Sequence, residues 1–262
     1  MSKEIRLKKG LNINLTGDSA RLISLNSKNK NRYVVKPTDF HDLTPKITVK
    51  VGDKVSAGST LFFDKYNQNV KFSSPVSGEV VDIVRGAKRR VLEIIINGEP
   101  EINYKDFPIK NADDLSRDDI IDGLLEAGVW PFVRQKPYDI IANPADTPKA
   151  IFISAFESAP LSIDNNFALD GMKDLFQKGL NYIVKLTEGK THLNINADVS
   201  SLVFDSVEGV DINKISGPHP AGNVGVQIHH IDPINKGDVI WYLKPQDVLV
   251  VARLFTEGKY DV

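Results

Sequence analysis

Val51-Gly-Asp-Lys-Val-Ser-Ala-Gly-Ser-Thr-Leu-Phe-Phe-Asp-Lys-Tyr-Asn-Gln-Asn-Val-Lys-Phe-Ser-Ser-Pro-Val-Ser-Gly-Glu-Val-Val81 decides the reading of the first half of the chain. Short apolar runs, Thr60-Leu-Phe-Phe63 and Val80-Val-Asp-Ile-Val84, alternate with Gly, Pro and Asp at close spacing, as does the preceding Lys46-Ile-Thr-Val-Lys-Val51. That texture predicts short strands joined by tight turns. Gly58 and Gly78 supply the positive φ such turns need, so neither requires a ligand to explain it. No amphipathic helix is expected in the first hundred residues.

Outward from this block, the pattern changes near Asp113. Ile120, Ile121, Leu124 and Leu125 recur at helical spacing, with Ser116 placed to cap the start and Gly128 the end. Strand-like Lys149-Ala-Ile-Phe-Ile-Ser-Ala-Phe156, a helical stretch over 168–187 and strand-like His192-Leu-Asn-Ile-Asn196 follow, implying a parallel crossover. Leu202–Asp205, Val226–Ile231 and Val239–Leu243 read as further strands, and 246–257 as a helix closed by Gly258. The expected organisation is a β-rich domain over 1–108, with its core at about 45–97, and an α/β domain over 109–262. Lys259-Tyr-Asp-Val262 reads as the opening of a strand, so the second domain is expected to be truncated at its C-terminal end.

With 33 basic residues against 34 acidic ones, there is no excess positive charge with which to neutralise nucleic-acid phosphates. The absence of cysteine excludes disulfides, thiolate nucleophiles, Cys-ligated zinc and ordinary iron–sulfur clusters. The longest mostly apolar run, 150–156, is far short of a membrane span, and the start lacks the apolar core of a leader, so a soluble, cytoplasmic chain is expected. His229 and His230, read as strand neighbours, would face opposite ways and share no metal. No nucleophile elbow is present, and Gly217-Pro-His-Pro-Ala-Gly222 lacks the phosphate-loop spacings. Arg85-Gly-Ala-Lys-Arg-Arg90 reads as a solvated hairpin end, with an anionic partner or lipid headgroups as the competing reading.

The stretch from Val51 to Val81 resembles the barrel-sandwich hybrid of lipoyl and biotinyl carrier domains, and Asp64-Lys65 mimics their modified lysine. The distance from Lys65 to Gly78 is about two residues too long for a tight hairpin, which would move the lysine off the turn tip. Lys9-Gly-Leu-Asn12, Phe63-Asp-Lys65, Ser74-Pro-Val-Ser-Gly-Glu-Val80, Arg85-Gly-Ala-Lys-Arg89, Val129-Trp-Pro-Phe132, Ser216-Gly-Pro-His-Pro-Ala-Gly222, Ile228-His-His-Ile-Asp-Pro233 and Phe255-Thr-Glu-Gly258 follow one another along nearly the whole chain. In that order they resemble the N-terminal part of the A subunit of the bacterial sodium-translocating NADH:quinone oxidoreductase.

That family in turn resembles the flavin- and NADH-binding subunit of respiratory NADH dehydrogenases, which implies a degenerate Rossmann-like α/β domain. Where those relatives cradle the flavin phosphate, this chain has Ala127-Gly-Val-Trp-Pro-Phe132, and where they carry a second acidic residue it has Ala159. The resemblance implies a cofactor-free subunit of the sodium-pumping complex, peripheral on the cytoplasmic side of the inner membrane. Its partners would be the membrane subunits, and the isolated chain would have no catalytic activity. If a quinone or inhibitor binds, the candidates are Trp130, Phe132, Arg134, Pro218, His219 and Gly222. The competing expectation is an active flavin- or NADH-binding oxidoreductase with a lipoyl-type arm at Lys65.

Overall fold

In the computed structural model, which describes residues 3–17, 20–23 and 31–262, the chain groups into two units that are each discontinuous in sequence. Met1–Leu22 and Val133–Ala252 form an α/β unit, and Ile23–Phe132 and Arg253–Val262 form a β-rich unit. In chain order the strands are β1 (Lys3–Arg6), β2 (Arg32–Val35), β3 (Pro45–Ile47), β4 (Lys54–Val55), β5 (Thr60–Asp64), β6 (Lys71–Ser73), β7 (Gly78–Arg85), β8 (Val91–Gly98), β9 (Arg134–Lys136), β10 (Ile140–Ile141), β11 (Ala150–Ser154), β12 (Lys190–Asn196), β13 (Asp211–Ser216) and β14 (Ile240–Leu243). The helices are α1 (Arg117–Ala127), α2 (Asn165–Ala168), α3 (Lys173–Ile183), α4 (Val224–Ile231) and α5 (Pro245–Glu257).

Two antiparallel sheets build the β-rich unit, one ordered β2-β8-β7-β4 and the other β3-β5-β6. Leu61, Phe62, Val80, Ile94 and Ile96 are fully buried between turns of polar residues. Phe62 and Phe72 stack with centroids 4.5 Å apart, and Phe40 meets Phe72 edge-on at 4.7 Å. Helix α1 belongs to this unit. Its start is a capping box in which Asp119 N–H donates to Ser116 Oγ and Ser116 N–H donates back to the Asp119 carboxylate. Its end is fixed by Gly128 at φ 77°, and its apolar stripe of Ile120, Ile121, Leu124 and Leu125 is buried.

The α/β unit carries one sheet ordered β1-β13-β12-β11-β14-β9-β10. The pairs from β1 to β14 are parallel, while β9 runs antiparallel to β14 and β10 antiparallel to β9. Strands β11 to β14, consecutive in sequence, therefore lie in the order third, second, first, fourth. The direction of winding reverses between β11 and β14, and in such sheets the carboxyl ends of the strands border a crevice. Beneath the crevice, Phe152, Ala150 and Ile240 pack against Ile228 of α4, and Ile215, Phe156 and Ala221 form a second cluster with Ile5 and Leu7. Helix α3 lies so close to α5 that a Cβ on Gly179 would come within 2.2 Å of the Val248 carbonyl oxygen.

Four local expectations are corrected. Val226–Ile231 is not a strand but part of α4: Val224, Ile228 and Ile231 are spaced for one helical face, and Asn223 caps the start by accepting the Gly225 N–H. Leu202–Asp205 is a turn, because Ser201 Oγ accepts the N–H of Val203 and Phe204 and the Asp205 carboxylate accepts the Ser201 N–H. The helical stretch over 168–187 is broken into α2 and α3, with Gly171 at φ 75° between them. Lys259–Val262 opens no strand; Tyr260 is buried instead.

Candidate functional site

Three segments far apart in sequence meet at the carboxyl ends of β11 and β13. The loop after β11 runs Ala155-Phe-Glu-Ser-Ala-Pro160, the loop after β13 runs Gly217-Pro-His-Pro-Ala-Gly222, and the segment after β1 contains Leu11 and Asn12. Leu11 N–H donates to the His219 carbonyl at 2.9 Å, and His219 N–H donates to Asn12 Oδ1 at 3.1 Å. Gly222 lies against the first loop so closely that a Cβ there would stand 2.2 Å from the Ser158 nitrogen, which is why only glycine fits.

Ser158 and His219 are brought together by this packing. Gly222 N–H donates to Ser158 Oγ at 2.7 Å, and the same oxygen lies 3.2 Å from His219 Nδ1. Among the described residues no carboxylate bonds to the His219 ring, so the pair lacks the third group that orients a base in hydrolytic triads. Its chemistry is that of a hydroxyl locking two loops together.

Behind the loops runs a chain of buried polar side chains. Asn213 Nδ2 contacts His192 Nδ1 at 3.3 Å and donates to Asn194 Oδ1 at 2.9 Å; Asn194 Nδ2 donates to Gln227 Oε1 at 2.8 Å. Gln227 Nε2 then donates to the carbonyls of Ala221 and Phe156, one from each loop. All four side chains are buried. Burial lowers the His192 ring below its ordinary protonation range, and its Nε2 is buried with no hydrogen-bond partner among the described residues.

The crevice has two lobes, of about 320 and 410 Å³, that share Phe156, Glu157 and Asn196. The first is bordered by Arg21, Asn165 and Asn166, the second by Asn12, Ser158, Asp198 and Gly217. Partial desolvation raises the Glu157 carboxyl above its usual range, against the pull of Lys244, although the residue is exposed at the rim. Among the described residues no group of three or more His, Cys, Asp or Glu is placed to hold a metal ion. His229 and His230 lie on α4, exposed, with ring centroids 5.2 Å apart, not on a strand.

The quinone candidates divide between the units. Pro218, His219 and Gly222 are in the loop just described, and Arg134 is in the same unit on β9, with β12, β11 and β14 between it and β13. At about 4.8 Å per strand that is roughly 19 Å. Trp130 and Phe132 belong to the β-rich unit, where Trp130 is fully buried. The loop they occupy does not fit a flavin phosphate. Gly128 N–H and Val129 N–H donate to carbonyls of α1, Phe132 N–H donates to Val129, and Pro131 has no N–H to offer. A Cβ on Gly128 would meet Ser73 Oγ at 2.4 Å, and Ser73 Oγ donates to the Ala127 carbonyl at 2.8 Å, so β6 stands where a ligand would approach.

Two family models match the chain. One, described as the NqrA N-terminal barrel-sandwich hybrid domain, covers residues 5–99, and the other, the NqrA second alpha/beta domain, covers residues 115–260. The chain belongs to the NqrA family. It is 34% identical over 256 residues to the A subunit of the Na(+)-translocating NADH-quinone reductase of Photorhabdus laumondii, covering 97% of this chain and 57% of that protein. The corresponding protein of Hahella chejuensis is 34% identical over 262 residues, with 98% and 58% covered, and that of Rhodopirellula baltica 33% over 261 residues, with 98% and 57% covered. The chain therefore spans about 57% of the length of the curated relatives it matches.

The NqrA family assignment accounts for the β-rich and α/β halves. Ser158, Asn194, Asn213 and Gln227 escape a sequence reading. A signal for one of them, Asn194, exists, since His192 and Asn194 put polar groups at i and i+2 on one face of a strand that is otherwise buried.

Proposed function

We propose that this chain is a cofactor-free, membrane-peripheral part of a sodium-translocating NADH:quinone reductase, docking on the membrane subunits of that complex from the cytoplasmic side. The observation that carries the reading is the match to the A subunit of such a reductase over 97% of the chain. No helix among the described residues is long and apolar enough to cross a membrane. A degenerate Rossmann-like ancestry for the α/β half is supported by the strand order that reverses between β11 and β14. The gap between residues 99 and 115 in the family matches supports a sequence division at 108/109.

The cofactor-free reading is supported by the closed loop at Trp130, whose amides are bonded within the chain and whose approach is filled by Ser73. A quinone head group would be taken at the crevice beside Pro218, His219 and Gly222, where Ser158 and Gly217 border open space. Arg134, Trp130 and Phe132 complete the candidate set. The competing carrier reading is disfavoured by Lys65, whose N–H donates to the Thr44 carbonyl at 2.8 Å, leaving the turn tip to Asn67–Asn69.

The test is to express the affinity-tagged chain with the membrane subunits of the complex and purify it from detergent extracts. Stoichiometric recovery of those subunits, with no flavin absorbance from the tagged chain alone, is expected. Failure to recover them, or flavin bound one-to-one to the isolated chain, would overturn the reading.

A further inference from the structure

The Arg85–Arg90 hairpin, a solvated end by sequence, borders a groove of about 660 Å³ in the β-rich unit. One wall is β3 and the residues before it; the other is the β7–β8 turn. Lys46, Arg85, Arg89 and Arg90 bring four cations to it, and Leu43, Pro45, Ile47 and Val91 give it an apolar floor. Arg85, Lys88, Arg89 and Arg90 are all exposed, and among the described residues none pairs with a carboxylate; Arg85 Nη1 only reaches the Arg89 carbonyl.

The backbone at the turn is held in a form that side-chain-bearing residues rarely adopt. Lys88 has φ 53° and Arg89 φ 60°, both left-handed. Non-glycine residues hold that conformation at a cost, and such strain is concentrated where a side chain must be presented in a fixed direction. Beside the groove, the Lys65 N–H bonds the carbonyl of Thr44, a groove residue, and the next residue, Tyr66, is 79% exposed with Lys65 Nζ 5.5 Å from its ring centroid.

We propose that this end of the β-rich unit seats on an anionic phospholipid surface, with a lipid phosphate taken between the guanidiniums of Arg85, Arg89 and Arg90. Arginine suits phosphate because its planar fork bonds two oxygens at once. An acidic peptide would satisfy the charges equally well, but it leaves the exposed Tyr66 unexplained. Tyrosine favours the bilayer interface, where its ring meets acyl chains and its hydroxyl meets water. The apolar floor beneath the cations fits the glycerol and upper acyl region of the same lipid. This inference goes beyond the proposed role in the reductase and does not depend on it, because its probe contains no protein.

The experiment is co-sedimentation of the 262-residue chain with phosphatidylcholine vesicles, with and without phosphatidylglycerol. Retention only on the phosphatidylglycerol vesicles, released by high salt, is expected. R85Q/R89Q/R90Q, which changes only exposed side chains, is expected to weaken retention about a hundredfold with an unchanged melting curve, given the contribution each cation makes near an anionic surface. Tyr66→Ser is expected to weaken it further without altering the salt dependence. Absence of retention, or equal retention of the triple variant, overturns the proposal. So does binding of poly-glutamate that depends on the three arginines while vesicles are ignored, which would make the groove an acidic-protein site.

Discussion

Gln227 joins the crevice to the interior of the sheet through three hydrogen bonds, two of them to the carbonyls that shape the loops. Replacing it with Leu keeps the volume and leaves an Asn194 amide N–H and the Ala221 carbonyl unpaired, while the Phe156 carbonyl keeps the bond from the Ser154 hydroxyl. A buried polar group left without a partner costs roughly 1–3 kcal/mol. Gln227→Leu is therefore expected to lower the urea midpoint by the equivalent of at least about 2 kcal/mol, and adding Asn194→Leu to cost less than the sum of the single changes, since the two share one bond. A smaller or additive effect would mean that water or neighbouring groups replace the network. Trp130 is the opposite case, an apolar group whose value is volume. Trp130→Ala is expected to cost about 3–5 kcal/mol, from lost transfer energy plus a cavity. It should create no flavin or NADH affinity in an absorbance or fluorescence titration, because the Gly128 and Val129 amides stay bonded to α1 and that of Phe132 to Val129.

Whether an element is legible from sequence depends on how many local signals agree. Helix α1 is legible because a capping box, a 3.6-residue apolar period and a terminal glycine coincide within thirteen residues from Ser116 to Gly128. Helix α4 is not, since its eight residues are rich in Val and Ile, which alternate well enough to suit a strand, and only the tertiary contacts of Ile228 and Val224 decide the matter. The loops at 157–160 and 217–222 are visible as motifs, but their meeting depends on β12 pairing parallel with both β11 and β13, a strand order that no local pattern encodes. Helix α5 carries a titration consequence. Asp247 accepts the Lys244 N–H at 2.8 Å, and burial pushes its carboxyl up to about 6, against the lowering effect of that bond and of the Lys244 charge. The folded chain thus holds a proton here that the unfolded chain, titrating near 3.9, has released. Stability from this group is present below about pH 4 and lost as pH rises towards 6. Asp247→Asn should flatten that decline, so that the gap in melting temperature between variant and parent changes by a few degrees between pH 4 and pH 6.5. A gap that stays constant with pH would mean that Asp247 titrates normally.

At the scale of the molecule, each unit borrows a segment from the far end of the chain: β1 completes the α/β sheet, and residues 253–262 complete the β-rich unit. Leu254, Phe255 and Tyr260 are each at most 5% exposed, and Tyr260 lies with Phe107 against Gly58, where a Cβ would come 2.9 Å from the Phe107 ring. Phe107 N–H donates to the Gly258 carbonyl and Lys110 N–H to the Phe255 carbonyl, both at 3.0 Å, while Tyr104 and Arg253 both reach the Asp261 carboxylate. Burying one such side chain contributes about 1.5–3 kcal/mol, so the three together supply roughly 5–9 kcal/mol. Whole domains are stable by only about 5–15 kcal/mol. Deleting residues 253–262 is therefore expected to unfold the β-rich unit while the α/β unit persists, because Val248, where α5 packs on Gly179 of α3, lies before the cut. Hydrogen exchange read by mass spectrometry separates the two outcomes. Amides of β5 to β8 should exchange fast in the truncated chain and those of β11 to β13 should stay protected. Full protection of β7 and β8 after the deletion would show that the β-rich core closes without its C-terminal segment.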